Sequence, residues 1–142
     1  MNILFLCTGN AARSQIAEAL ARAEAPGGIH IYSAGSHPQA GVHATARRVL
    51  EEAGLWRDGA HPKSVDEIPV ARWDLVITVC ADADQSCPLL PGERRRLRWP
   101  QSDPSFIPDD DERLQAFRKL REDLRARVRA LVAELAVPAA AG

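Results

Sequence analysis

Cys7-Thr8-Gly9-Asn10-Ala11-Ala12-Arg13-Ser14 follows the apolar run Ile3-Leu4-Phe5-Leu6 and precedes an alanine-rich segment with apolar residues at helical spacing. A short unbroken apolar run is what a central parallel strand covered on both faces requires. The stretch therefore reads as a strand, a tight loop and a helix start, with a thiol at one end of the loop and a guanidinium at the other.

Each residue type in the loop has a chemical use. A loop closing onto a helix N-terminus aims backbone N–H groups at one point, and the helix dipole there favours negative charge. Gly9 lacks the Cβ that would obstruct a tight turn or the approach of a ligand. Arg13 is suited to hold a tetrahedral oxyanion through two parallel hydrogen bonds. The same positive surroundings favour Cys7 as a thiolate. Ser14 is placed to donate to that sulfur, and the Asn10 amide to brace the loop. Thr8 to Ser14 thus form a candidate oxyanion cradle with Cys7 as the nucleophile at its floor. The plainer reading is that a cysteine after a buried strand is a small core residue. The strand before, the Gly-Asn within and the Arg-Ser opening a helix favour the functional one. The GxxxxGK[ST] pattern of a nucleotide-binding loop is absent.

Working outward, the spacing predicts a helix over roughly Ser14 to Ala25, a strand over Ile29 to Ser33 and a helix over about His43 to Ala53. A short helix is expected from Ser64 or Asp66 through Ala71, limited by Pro69. Strands follow at Leu75 to Val79 and Leu97 to Trp99, and a last helix over about Asp110 to Leu135 carries Leu114, Phe117, Leu120, Leu124, Val128, Leu131 and Leu135 on one stripe. Strands and helices in alternation imply an α/β fold, a parallel sheet with helices on both faces. Ligands of such sheets bind beyond the carboxyl ends of the strands. Cys7, Cys80 and Asp103 each follow a strand, so that edge is where they would meet.

The chain has 142 residues, 46% of them hydrophobic and 26% charged, with a formal net charge of -1. That is the composition of one globular domain, residues 1–142, with 137–142 as a loose tail. The charge gives no reason to expect a nucleic acid or an anionic membrane as partner. No apolar run is long enough to span a bilayer and the N-terminus lacks signal-peptide features, so a cytoplasmic protein is expected. No exposed apolar stripe demands a second copy, so a monomer is expected. Three cysteines are too few for a disulfide scaffold and point to catalytic or redox thiols. Cys80 and Cys87 stand too far apart for a regular helix to join them, so a bridge between them requires the segment to unwind. His30, His37, His43 and His61 show no paired metal spacing, and no metal is expected. Asp103-Pro104, judged alone, is a solvated turn. Arg94, Arg95, Arg96 and Arg98 read as a solvated basic face, or as one that greets an acidic partner.

Cys7 to Ser14 resembles the C-x5-R-S phosphate loop of the low-molecular-weight protein tyrosine phosphatase fold. Leu6-Cys7-Thr8-Gly9-Asn10, Arg13-Ser14-Gln15, Ser33-Ala34-Gly35, Val79-Cys80-Ala81-Asp82-Ala83-Asp84 with Cys87-Pro88, and Asp103-Pro104 resemble, in order, the thioredoxin-coupled arsenate reductases built on that fold. The fold expected is an open parallel sheet of about four strands in the order 2-1-3-4. The resemblance implies that Cys7 attacks arsenate held by Arg13 and that Asp103 is the general acid. It implies further that Cys80 and Cys87 relay the oxidation to thioredoxin or a similar dithiol carrier, with no tightly bound cofactor. Some relatives bind potassium through groups resembling Asn10 and Glu18, but the other ligands do not match near His61 to Asp66, which leaves that cation undecided. Ala12 stands where several members carry a further cysteine. The alternative is a phosphatase of phosphotyrosine or small phosphate esters using Cys7, Arg13, Ser14 and Asp103 alone. Against it, Ser105 follows Pro104 where phosphatases of this family carry aromatics. A noncatalytic oxyanion-binding module is a third reading.

Overall fold

The computed structural model describes residues 1–81 and 89–136. Cys87, most of the segment after Cys80, and the expected tail at 137–142 lie outside the described residues. Strand β1 spans Asn2–Cys7, helix α1 Arg13–Glu24, β2 His30–Gly35, α2 Ala44–Glu52, β3 Leu75–Cys80, β4 Arg96–Gln101 and α3 Asp110–Ala136. The four strands form one sheet in the order β2-β1-β3-β4, every pairing parallel. The expected order is therefore met.

The central strands are buried along their length: Ile3 to Cys7 of β1 and every residue of β3 are inaccessible. This is the burial that their unbroken apolar runs require. Helix α1 contacts α2 and α3, and α2 contacts α3. The stripe Leu114, Phe117, Leu120, Leu124, Val128 and Leu131 is the buried face of α3. Each such side chain contributes about 1.5–3 kcal/mol on burial.

Three boundaries differ from expectation, each for a local reason. β2 runs on through Ala34 and Gly35 because these pair in register with Leu6 and Cys7. The expected helix before Ala71 contracts to a single 3-10 turn, Val65–Glu67, entered through a 2.6 Å bond from the Ser64 N–H to the Glu67 carboxylate. Pro69 lacks an amide hydrogen and holds Ile68 extended, which stops the turn there. β4 extends across Pro100 to Gln101, which an edge strand tolerates because one side of its ladder is unused.

The register brings the chemistry to one edge. Cys7 ends β1 opposite Gly35, and Cys80 ends β3 opposite Gln101 after a break in the ladder between Thr78 and Cys80. Cys7, Cys80 and Gln101, the last residues of β1, β3 and β4, share that carboxyl edge.

Candidate active site

The loop from Thr8 to Ala12 turns sharply beyond β1. Asn10 takes a positive φ of 51°, a conformation that asparagine adopts more readily than most residues. Gly35 lies beside the loop, where a Cβ would stand 2.5 Å from the Thr8 carbonyl oxygen and 3.0 Å from the Asn10 nitrogen. The glycine is thus a clearance requirement of the neighbouring strand, not a feature of the loop itself. Helix α1 begins without a side-chain cap at Ala12. Its first-turn donors are left for another acceptor.

The Cys7 sulfur lies within the loop and is 2% exposed. It receives the Asn10 N–H at 3.1 Å and lies 2.8 Å from the Ser14 hydroxyl. Cys80 Sγ sits alongside and accepts the Thr8 N–H at 3.1 Å. Interaction with the neighbouring Cys80 thiol, together with the bonds from Ser14 and the Asn10 amide, lowers the Cys7 pKa to about 6 against the opposing effect of burial. Cys80 is driven the other way, first by the same interaction, then by burial and by the Cys7 charge. At neutral pH the pair is a thiolate at Cys7 and a thiol at Cys80.

Above Cys7 lies a cavity of about 170 Å³ lined by loop residues Gly9 to Arg13, by Gln39 and His43, and by Asp103, Ser105 and Phe106. Among the described residues, the backbone N–H groups of Gly9, Ala11 and Ala12 make no hydrogen bond to protein. Donors around a wall of that size suit a tetrahedral oxyanion. The Arg13 guanidinium donates to the Gln101 carbonyl at 2.8 Å and meets the Asp103 carboxylate at 3.5 Å. Asp103 is itself held by the Ser105 N–H at 2.9 Å, at the start of the turn Pro104–Phe106. Cys7, the cradle residues, Arg13, Ser14, Cys80 and Asp103 are thus brought together, whereas Cys87 lies outside the described residues.

Several contributors were not legible in the loop motif. Gln39 packs over Gly9, where a Cβ would come within 2.8 Å of its amide nitrogen. His43 accepts the Thr45 N–H at 3.1 Å as the cap of α2 and stacks on Phe117 at 5.2 Å. Its pKa is lowered by burial and Arg113, against the pull of Asp103. Gln15 braces the loop from α1 through Asn10 and the His61 carbonyl. Gln39 and His43 carry no motif signal, because each enters from a segment distant in sequence, whereas Gln15 stands in the Arg13-Ser14-Gln15 motif.

The groups resembling potassium ligands do not fit a cation here. Both oxygens of Glu18 accept protein donors, from Ser33, Arg22 and Arg57, and the Asn10 carbonyl oxygen accepts from Lys63 N and Gln15. Two guanidiniums already supply the positive charge.

The model of the family described as low molecular weight phosphotyrosine protein phosphatase matches residues 2–139. A protein of Halalkalibacterium halodurans named arsenate reductase is 32% identical over 128 residues, 89% of this chain and 91% of that protein. A solved structure of arsenate reductase from Archaeoglobus fulgidus superposes with a TM-score of 0.75 at 34% identity, covering 92% of this chain and 98% of that one. A thioredoxin-dependent arsenate reductase of Corynebacterium glutamicum superposes with a TM-score of 0.70 at 30% identity, over 94% of this chain and 61% of that one. With the strand order, the cradle and these likenesses together, the chain belongs to the low molecular weight phosphotyrosine protein phosphatase family.

Proposed function

We propose that this protein is an arsenate reductase that converts arsenate to arsenite through a thiol relay and is recycled by thioredoxin or a similar dithiol carrier. The observation that carries the reading is the pairing of two buried free thiols at the cradle floor, Cys7 and Cys80, whose sulfurs accept the Asn10 and Thr8 N–H groups of one loop. Ester hydrolysis needs only one. The names borne by the similar proteins support the same substrate.

Arsenate binds the loop amides and the Arg13 guanidinium as a tetrahedral anion. Asp103 takes a proton from the incoming dihydrogen arsenate and returns it to the departing oxygen as the Cys7 thiolate attacks arsenic, so that water is lost and a Cys7–arsenic bond remains. Cys7 then no longer carries charge, which removes the like-charge penalty on Cys80 and eases its ionisation. Cys80 attacks the Cys7 sulfur, and the sulfur–arsenic electron pair passes to arsenic, which leaves as arsenite. Two thiols have become one disulfide while arsenic has gained two electrons. Cys87 attacks Cys80 in turn, restoring Cys7 and moving the bridge to Cys80–Cys87, where the external dithiol reduces it. This cycle needs a reducing compartment, so we place it in the cytoplasm. It draws every group from one chain, in keeping with a monomer.

Hydrolysis of an aryl phosphate ester is a second reading, favoured by Phe106, which is 83% exposed where it lines the cavity. The two are separated by following NADPH oxidation through thioredoxin and its reductase on adding arsenate, beside p-nitrophenyl phosphate hydrolysis. Arsenate-dependent oxidation that disappears in Cys80→Ser supports the reductase. Ester hydrolysis unchanged in that variant, with no arsenate-dependent oxidation in either protein, makes the enzyme a phosphatase.

A further inference from the structure

His43 carries two ring nitrogens, and the fold commits only one of them. The residue ends the loop that follows β2: its backbone N–H donates to the Ala11 carbonyl at 2.8 Å, and helix α2 begins from it. Nδ1 accepts the Thr45 N–H at 3.1 Å as the helix cap. A backbone N–H only donates, so Nδ1 holds no hydrogen and the ring is the neutral tautomer with its hydrogen on Nε2. Stacking on the buried Phe117 at 5.2 Å, with the two planes 21° apart, sets the plane of the ring. Among the described residues Nε2 meets no protein acceptor, yet it is not one of the buried polar atoms left without a partner. It therefore reaches accessible space, and the space this ring lines is the cavity above Cys7, shared with Ala11, Ala12, Arg13 and Asp103. The residues usual at such a cap, serine, threonine, asparagine and aspartate, offer one short polar arm to the helix. Histidine adds a donor on the far side of its ring.

We infer that His43 is a substrate-binding residue of the site: its Nε2–H donates a hydrogen bond to an oxygen of the tetrahedral oxyanion held over Cys7, while Nδ1 stays bonded to the helix. The inference rests on the oxyanion site of the proposed function and adds to it a side-chain donor outside the Cys7 to Ser14 motif. A neutral donor suits this place better than a cation. An imidazolium near Asp103 would hold that carboxyl ionised, against its use as a proton donor. It would also carry a hydrogen on Nδ1, facing the Thr45 N–H that the cap must accept. Burial and the Arg113 charge keep the ring uncharged, against the pull of Asp103. Arg13 already supplies the positive charge. The Nε2–H adds a fixed dipole, because the cap and the stacked ring hold it in place before the anion arrives.

Binding of inorganic phosphate to the full reduced chain tests this. A phosphatase would share that binding, so the result is separate from whether arsenate is reduced. His43→Asn keeps a cap of the preferred type and removes the far donor. Its thermal melt should stay near that of the parent while the phosphate Kd rises about tenfold, the scale of a lost hydrogen bond to a charged group. His43→Ala loses cap and donor together and should melt earlier, with the same weakening of phosphate. Proton–nitrogen correlation spectra of the imidazole in the parent read the ring itself. Before phosphate they should show Nδ1 unprotonated and Nε2 protonated. At saturation the Nε2 resonance should shift and its hydrogen exchange more slowly, which a merely structural cap would not show. A parent-like Kd in a cooperatively melting His43→Asn overturns the inference and leaves the proposed function standing. A hydrogen found on Nδ1, or an Nε2 resonance unmoved at saturation, overturns it whether or not that variant folds. A parent that takes up no phosphate overturns both the inference and the proposed function.

Discussion

The Arg13 guanidinium and the Asp103 carboxylate meet at 3.5 Å across the cavity above Cys7, and Arg13 is anchored on its other side by the Gln101 carbonyl at 2.8 Å. The two residues have opposed effects on an incoming oxyanion: the guanidinium attracts it and the carboxylate repels it. Asp103→Asn keeps the shape and removes the negative charge. Inorganic phosphate should then inhibit at lower concentration than in the parent, while kcat for arsenate falls by about 10²–10⁴ through loss of the proton donor. Steady-state kinetics with phosphate as competitor read both effects together.

Arg13→Lys retains a positive charge and loses the fork that spans a tetrahedral anion and the Gln101 carbonyl. A drop in kcat/KM for arsenate of about 10²–10³ is expected, as for removal of a preorganised donor to developing charge. Circular dichroism and the thermal transition should remain near those of the parent, because the lost contact lies at the strand edge and not in the core.

The Cys7 thiolate is sustained chiefly by the neighbouring Cys80 thiol, which with the Ser14 hydroxyl and the Asn10 amide takes its pKa to about 6. Alkylation of Cys7 should therefore be near its full rate at pH 7.5 and fall as the pH drops through about 6, where the sulfur is protonated. In Cys80→Ala that thiol is gone and burial remains, so the midpoint moves upward and the rate at pH 6 falls. A midpoint that stays in place would show that the loop amides and Ser14 suffice. The same sign holds for stability: a group ionising more easily folded than unfolded adds stability above its unfolded pKa, lost as pH falls through about 6.

Gly35→Ala places a methyl group 2.5 Å from the Thr8 carbonyl oxygen and 3.0 Å from the Asn10 nitrogen. Both are backbone atoms of the cradle, so relief requires the loop itself to shift. A loss of about 1–3 kcal/mol in unfolding free energy is expected from overpacking, with a larger proportional loss of activity than Gly41→Ala, where nothing lies within 4 Å. Urea unfolding and turnover of the two variants test the contrast.

The sheet was legible because its signals are local. Ile3 to Leu6 and Leu75 to Val79 are too apolar to be anything but covered strands, and the Leu114 to Leu131 spacing defines the buried face of α3. The cradle was legible for the same reason, its residues being consecutive. The contributions of Gln39 and His43, and the clearance at Gly35, depend on which segments the fold sets side by side. The hydrogen bonds that join Glu18, Ser33 and Asn10 were hidden more deeply. A glutamate inside an amphipathic helix ordinarily faces water, and only the register of β2 against β1 brings Ser33 between it and Asn10.

The central claim is that oxidation leaves Cys7 by way of Cys80, and a single turnover of Cys87→Ser tests it most directly. The reduced variant is mixed with arsenate, quenched with acid and mapped by peptide mass spectrometry, with arsenite measured in the supernatant. The relay predicts one arsenite per chain, a Cys7–Cys80 disulfide, and no further turnover while thioredoxin is supplied. Continued cycling would remove Cys87 from the scheme, and arsenite release without a Cys7–Cys80 bridge would contradict the relay itself.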